Sequence, residues 1–196
     1  MNMTGEKNIN IIIAGVGGQG LVLTTKIMAE AAMTAGYDVK TNDVIGLSQR
    51  NGKIWGSVRL GTKVYSPNIP EGEADILLAF EALEARRMRH MLREGDSIAI
   101  VNSYEMAPAR VQQGLETYAD DIDALLMERS VLKKVDATAV AVEIGHAAVA
   151  NIFMLGIAAQ DLPIPVEVWE SVIAENVPPN SIELNRIAFR RGLEWK

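Results

Sequence analysis

Gly15, Gly17 and Gly20 fall at the spacing G-x-G-x-x-G, directly after the run Ile11-Ile12-Ile13-Ala14. Glycines so placed build a turn from a buried strand into a helix. Without a Cβ, Gly15 can take the tight turn, Gly17 can let an anion or another backbone come close, and Gly20 can seat the helix on the strand. The helix that follows would aim unpaired N–H groups and a partial positive charge at whatever lies above the turn. With Gly18 and Gln19 between them, these residues are candidates for binding a pyrophosphate-bearing ligand. Two uses stay open on this motif alone: a dinucleotide site, or a turn that serves only packing or partner contact. A dinucleotide fold also asks for an acidic residue at the end of the second strand, which is expected at 37–41 and followed by Asn42 and Asp43.

The elements that would position this turn belong to an α/β layered fold with a mostly parallel sheet. Apolar strands of parallel-sheet type are expected at 9–14, 75–80 and 97–102, with a weaker one at 131–135. After the turn, Leu21, Ile27, Ala31 and Ala35 can share one buried stripe while Lys26, Glu30 and Thr34 fall on another face. The residues 46–52 read as an extended loop and 53–64 as a hairpin insertion. Residues 81–93 read as a helix carrying Ala85, Met88 and Leu92 on one stripe, with Gly95 as its stop. The final third is helical. Asp136 is placed to cap a helix from Ala137, and Gly145 to break it. A further helix is expected at 151–160, one opened by Pro165, and one capped by Ser181 and ended by Gly192. The alanines of 137–159 imply closely approaching backbones. Ligands in such a sheet gather beyond the carboxyl ends of the strands, which here puts the glycine turn, Glu81, Asn102 and Asp136 on one edge. Asn151 and Asn185 each face an apolar stripe, and each is either a clamp to nearby backbone, the favoured reading, or part of a site.

Composition narrows the chemistry. The chain has 196 residues, 48% of them hydrophobic, with no linker or repeat, so one domain over 1–196 is expected. It has no cysteine, which removes thiolate-held clusters, disulfides and thiol nucleophiles from its own repertoire. The net charge of −6 and the lack of a basic patch with interleaved aromatics argue against nucleic acid. Arg86, Arg87, Arg89 and Arg93 follow Glu81 and Glu84 in an order that suits a solvated helix face. His90 and His146 lie apart from acidic partners at ligand spacing and are read as structural, with no metal site and no catalytic side chain. No signal peptide or membrane span is read, so a cytoplasmic location is expected.

An ordered set of segments adds to this reading: Gly15-Val16-Gly17-Gly18-Gln19-Gly20, Ser48-Gln49-Arg50-Asn51-Gly52, Val58-Arg59, Tyr65-Ser66-Pro67, Gly72-Glu73-Ala74-Asp75, Phe80-Glu81 with Glu84-Ala85-Arg86, Asn151 to Gly156, and Asn185 to Phe189. Over nearly the whole chain this set resembles the gamma-type subunit, or domain, of the 2-oxoacid:ferredoxin oxidoreductases, and most of all the indolepyruvate branch. It departs from the family pattern at Asn51, where a second glycine is usual, and from the indolepyruvate branch at His146, where asparagine is common. The resemblance implies a reaction in which thiamine diphosphate adds to a 2-oxoacid, carbon dioxide leaves, electrons pass through iron–sulfur clusters to ferredoxin, and coenzyme A takes the acyl group. It also implies that thiamine diphosphate and the 4Fe-4S clusters lie in larger partner subunits. This chain would then hold no cofactor alone and would stand on the coenzyme A side. On that basis Gly15, Gly17, Gly18, Gln19, Gly20 and Asn102 are the candidate contacts, and Arg50 would either grip a phosphate or clamp a partner's carboxylate. Negligible activity in isolation is expected, as is self-association through the face made for the partner.

Overall fold

The computed structural model describes residues 8–45 and 53–196. Its strands are β1 (Ile9–Val16), β2 (Asp38–Ile45), β3 (Lys53–Gly61), β4 (Ile76–Ala79), β5 (Ser97–Asn102) and β6 (Ser130–Val135). They form a six-stranded sheet in the order β2-β3-β1-β4-β5-β6. β1, β4, β5 and β6 run parallel, and β3 lies antiparallel between β1 and β2. The helices are α1 (Leu21–Thr34), α2 (Ala82–Met88), α3 (Ala109–Gln112), α4 (Ile122–Met127), α5 (Ala137–Ile144), α6 (Ala150–Ala159), α7 (Val166–Asn176) and α8 (Ile182–Leu193).

Continuous aliphatic runs make β1 and β4 strands covered on both faces, and every residue of each is buried. The period of two sorts their side chains between two cores. Ile11, Ile13, Ile76, Leu78 and Ile100 join the core under α1, α6, α7 and α8, whereas Ile12, Ala14, Leu77, Ala79 and Val101 join the one under α2 and α4. α6 is buried from Asn151 through Ala159 and so reads apolar all round. It crosses α8 where Gly156 meets Gly192. A Cβ on Gly156 would stand 2.2 Å from the Phe189 carbonyl oxygen, and one on Gly192 would stand 2.1 Å from that of Phe153.

Several expectations change here. The second strand runs on to Ile45 and does not flank β1, because β3 takes that place and pairs Asp43 with Gly56. The hairpin is therefore β2 with β3, and its second strand ends at Gly61. The helix expected at 81–93 stops at Met88 and tightens into a 3₁₀ turn at Arg89–Met91. Leu92 is then drawn into a bridge with Ala74, and Gly95 turns the chain into β5 at φ 98°. Gly192 lies within α8 and is a packing glycine, not its stop. The Ser181 hydroxyl donates back to the Pro178 carbonyl at 2.9 Å and does not cap α8. Asp136, by contrast, caps α5 as expected, its carboxylate accepting from the Ala139 amide at 2.9 Å, and Gly145 follows with φ 138°. The clustered arginines each have a carboxylate: Asp121 for Arg86, Glu84 for Arg87, Glu128 for Arg89, and Glu73 and Asp75 for Arg93. No helix among the described residues is long and apolar enough to cross a membrane.

Candidate functional site

The turn between β1 and α1 is held by one of its own side chains and by one from α6. Gly18 and Gly20 take left-handed φ values of 96° and 78°. The Gln19 amide bridges the turn, its Oε1 accepting from the Val16 N–H at 2.9 Å and its Nε2 donating to the Phe80 carbonyl at 3.0 Å. That bridge explains Gly15, whose Cβ would stand 2.8 Å from Gln19 Oε1. Asn151 explains Gly20. Its Nδ2 donates to the Gly20 carbonyl at 3.4 Å and would be 2.3 Å from a Cβ there, while its Oδ1 accepts from the Ile152 N–H at 2.8 Å. Asn185 clamps in the same way, donating to the Ser181 carbonyl at 2.8 Å. Gly15 and Gly20 thus answer to neighbouring side chains, and Gly17 and Gly18 carry the open side of the turn. A Cβ on Gly18 would find no heavy atom within 4 Å.

Beyond the carboxyl ends of β1, β4 and β5 lies a cleft of about 550 Å³. Its floor is Gln19, Phe80 and Asn102. Tyr104 and Met106 form one side, and Ala147, Ala148, Asn151 and Met154 another. Asn102 works as a knot. Its Nδ2 donates to the Phe80 carbonyl at 3.3 Å and to Thr138 Oγ1 at 3.2 Å, while its Oδ1 accepts from Ala137 N–H at 3.0 Å and Tyr104 N–H at 3.4 Å. Those bonds use the full capacity of an amide, so Asn102 shapes the floor. Glu81 and Asp136 share the edge but act as helix caps, Glu81 accepting from the Glu84 N–H at 2.8 Å.

No lysine, arginine, histidine or carboxylate lines this cleft among the described residues. What faces it are helix beginnings: the Gly17 to Gly20 turn leads into α1, Thr138 stands in the first turn of α5, and Ala150 and Asn151 open α6. At α5 the Ala137 and Ala139 N–H groups are already taken by Asn102 and Asp136, and at α6 those of Ala150 and Ile152 bond to Ala147 and Asn151, so the uncapped end of α1 is the one that presents N–H donors and partial positive charge to a small anionic or polar group. Gly17, Gly18, Gln19, Gly20 and Asn102 are brought together here, Gly15 lies buried beneath them, and Arg50 lies outside the described residues. Sequence reasoning missed Tyr104, Met106 and Thr138. Thr138 was within reach, since it follows the capping Asp136; Tyr104 and Met106 sit on a connection with no periodicity. Neither histidine lines the cleft: His146 accepts from the N–H of the wall residue Ala148 at 3.1 Å, and His90 places Nδ1 2.9 Å from the Arg87 carbonyl. Among the described residues no cluster of three or more His, Asp or Glu side chains could hold a metal ion.

The fold is a doubly wound α/β module with a cleft at the carboxyl edge of its sheet, the edge where ligands gather in such folds. The pyruvate ferredoxin/flavodoxin oxidoreductase family model matches residues 10–195, and the chain belongs to that family. It is 36% identical over 194 residues to indolepyruvate oxidoreductase subunit IorB of Thermococcus kodakarensis, covering 96% of each chain. Among solved structures, the gamma subunit of a keto/oxoacid ferredoxin oxidoreductase from Geobacter sulfurreducens superposes with a TM-score of 0.70 at 26% identity, covering 95% of this chain and 96% of that one. A 2-oxoglutarate:ferredoxin oxidoreductase from Magnetococcus marinus, solved with 2-oxoglutarate, coenzyme A and succinyl-CoA, shares the fold at a TM-score of 0.77 and 19% identity; the match covers 96% of this chain and 31% of that one. The chain is thus an oxidoreductase subunit of the 2-oxoacid:ferredoxin type.

Proposed function

We propose that this chain is the small, single-domain subunit of an indolepyruvate- or arylpyruvate-type ferredoxin oxidoreductase, and that its cleft forms the coenzyme A side of a site completed by a larger partner. In the reaction a 2-oxoacid loses carbon dioxide, two electrons pass to ferredoxin, and the acyl group is captured by the thiol of coenzyme A. With no cysteine, this chain's residues do not fit a thiolate-held iron–sulfur cluster, so clusters and thiamine diphosphate are assigned to the partner. The indolepyruvate branch rests on the likeness to the Thermococcus subunit.

The observation that carries the reading is the uncapped beginning of α1, which opens through the Gly17 to Gly20 turn on a cleft that no charged side chain lines among the described residues. Backbone donors and neutral walls suit a ligand that joins phosphate groups to a long polar and apolar arm. An independent nicotinamide or flavin enzyme is less well supported, since β3 separates β2 from β1 and moves Asp43 to a strand away from the turn.

The test is Gly18→Asp in the complex reconstituted with the larger partner, with Gly18→Asn as a neutral control for left-handed strain. The backbone N–H is kept, but the new carboxylate would stand against a phosphate, and a like-charge cost of roughly 1.5 kcal/mol or more predicts a rise of about tenfold in KM for coenzyme A. KM for the 2-oxoacid should hold, and Gly18→Asn should act weakly. Unchanged coenzyme A kinetics in Gly18→Asp would overturn the assignment.

A further inference from the structure

The connection from β5 to α4 supplies Tyr104 and Met106 to the cleft wall, and two of its residues, Met106 and Tyr118, bond to one carboxylate. Glu81 is 1% exposed. Its Oε2 caps α2 through the Glu84 N–H, while its Oε1 accepts from the Met106 N–H at 3.0 Å and the Tyr118 hydroxyl at 2.5 Å. The Tyr118 oxygen accepts in turn from the Leu83 N–H at 3.1 Å. The Tyr104 carbonyl accepts from the Ala82 N–H at 3.1 Å. Between Met106 and Tyr118 the chain bonds within itself, Gln112 to the Ala107 carbonyl at 2.7 Å and Arg110 to Glu116, and it exposes Leu115 at 61%. Past Tyr118 it is tied down by the fork of Arg86 on Asp121, at 2.8 and 2.9 Å.

This is a strap that meets the cleft at Tyr104 and Met106, with a pin at each end. Burial, then the hydrogen bond to Glu81, push the Tyr118 hydroxyl well above the usual phenol range, so it remains a donor to the carboxylate. Resting on the reading of the cleft as a coenzyme A site, we propose that Glu81 is a positioning residue: by latching the 103–118 strap through Met106 and Tyr118, it fixes the wall against which the ligand seats. It acts through the strap and does not line the cleft itself.

Tyr118→Phe tests the latch apart from the helix cap, and Glu81→Gln tests the two together. Tyr118→Phe removes a latch bond and leaves the bond from Glu84 to Glu81 in place. In Glu81→Gln, an amide replaces a group that only accepts, so one of its two ends must face a donor in either orientation. In the reconstituted complex, hydrogen exchange of 103–118 should rise roughly tenfold in Glu81→Gln and less in Tyr118→Phe, with α6 amides unchanged. KM for coenzyme A should rise about fivefold or more in Glu81→Gln, with the 2-oxoacid KM unmoved. Exchange at 103–118 matching the parent protein would overturn the latch, as would exchange rising equally in α6, which marks a merely structural cap. If Gly18→Asp raises the coenzyme A KM and Glu81→Gln does not, the positioning role fails while the site stands. If neither variant moves it, the site assignment itself fails.

Discussion

A methyl group added at Gly20 meets two obstacles, and a second substitution removes only one of them. The left-handed φ of 78° costs a residue with a Cβ about 1 kcal/mol. The new Cβ would also stand 2.3 Å from Asn151 Nδ2 and 3.1 Å from its Cγ, overpacking worth roughly 1–3 kcal/mol. Gly20→Ala should therefore lose about 3 kcal/mol. Asn151→Ala alone gives up the 3.4 Å bond to the Gly20 carbonyl and the 2.8 Å bond from Ile152, about 1–2 kcal/mol together. In the double variant the remaining Asn151 Cβ position is 3.7 Å from the new methyl, an ordinary contact, so the collision vanishes while the φ strain remains. Denaturant unfolding of the four proteins, followed by tryptophan fluorescence, should give a double variant more stable than the sum of the singles by about 1–3 kcal/mol. Additivity within about 0.5 kcal/mol would refute the claim that Asn151 is what requires glycine at position 20.

Gly156→Ala should destabilise although alanine is the better helix former. Its methyl would lie 2.2 Å from the Phe189 carbonyl and 3.0 Å from Gly192 Cα, backbone that cannot rotate aside. A net loss of about 2 kcal/mol, or roughly 4–8 °C in Tm, is expected, and an unchanged or raised Tm would count against the close crossing of α6 and α8. The acid limb of stability should report Arg86. Its hydrogen bond holds the Asp121 carboxyl below the ordinary carboxylate range, as Lys40 does for Asp38 and Arg190 for Glu170. A depressed native pKa means that the unfolded chain takes up the proton first as pH falls. The contribution is therefore present above the unfolded value near 4 and lost as pH drops through the lower native one. Urea midpoints measured from about pH 6 down to about pH 3 should fall less steeply in Arg86→Gln, and an identical acid limb would dismiss the pair.

What the sequence made legible is what local pattern decides. The aliphatic runs of β1, β4 and β5 mark strands covered on both faces, and Asp136 marks the start of α5, because a cap and a buried strand each need only their own neighbours. Strand order was hidden. Nothing near Asp43 tells that β3 will stand between β2 and β1. The end of α2 was hidden too, since the bridge from Leu92 to Ala74 overrides a helical stripe from a distance in sequence. The glycine turn was readable as a turn but not in the division of labour among its glycines, because Gln19 and Asn151, which fix Gly15 and Gly20, declare themselves only in three dimensions. Asn102 was placed correctly on the edge. Its role as a knot depends on four partners: Phe80 just past β4, Ala137 and Thr138 of α5, and Tyr104 of the strap.

A neutral lining in a chain of net charge −6 has a physical logic that the helix ends make plain. A carboxylate in the first turn of α1 or α6 would cancel the partial positive charge there, and neither helix has one. Gly20 also leaves α1 without a side-chain cap, so its leading N–H groups are not answered by a neighbouring carboxylate. The edge does carry acids, but Glu81 is turned to α2 and the strap, and Asp136 to α5. Helix dipoles do not titrate and act only within about a turn of their ends. The polarity offered to a ligand is therefore short-ranged and fixed by the backbone. Placement of the turn, the floor and the strap then matters more than any single charge, which is why the side chains with the most to say about this cleft, Gln19, Glu81, Asn102 and Asn151, hold backbone in place.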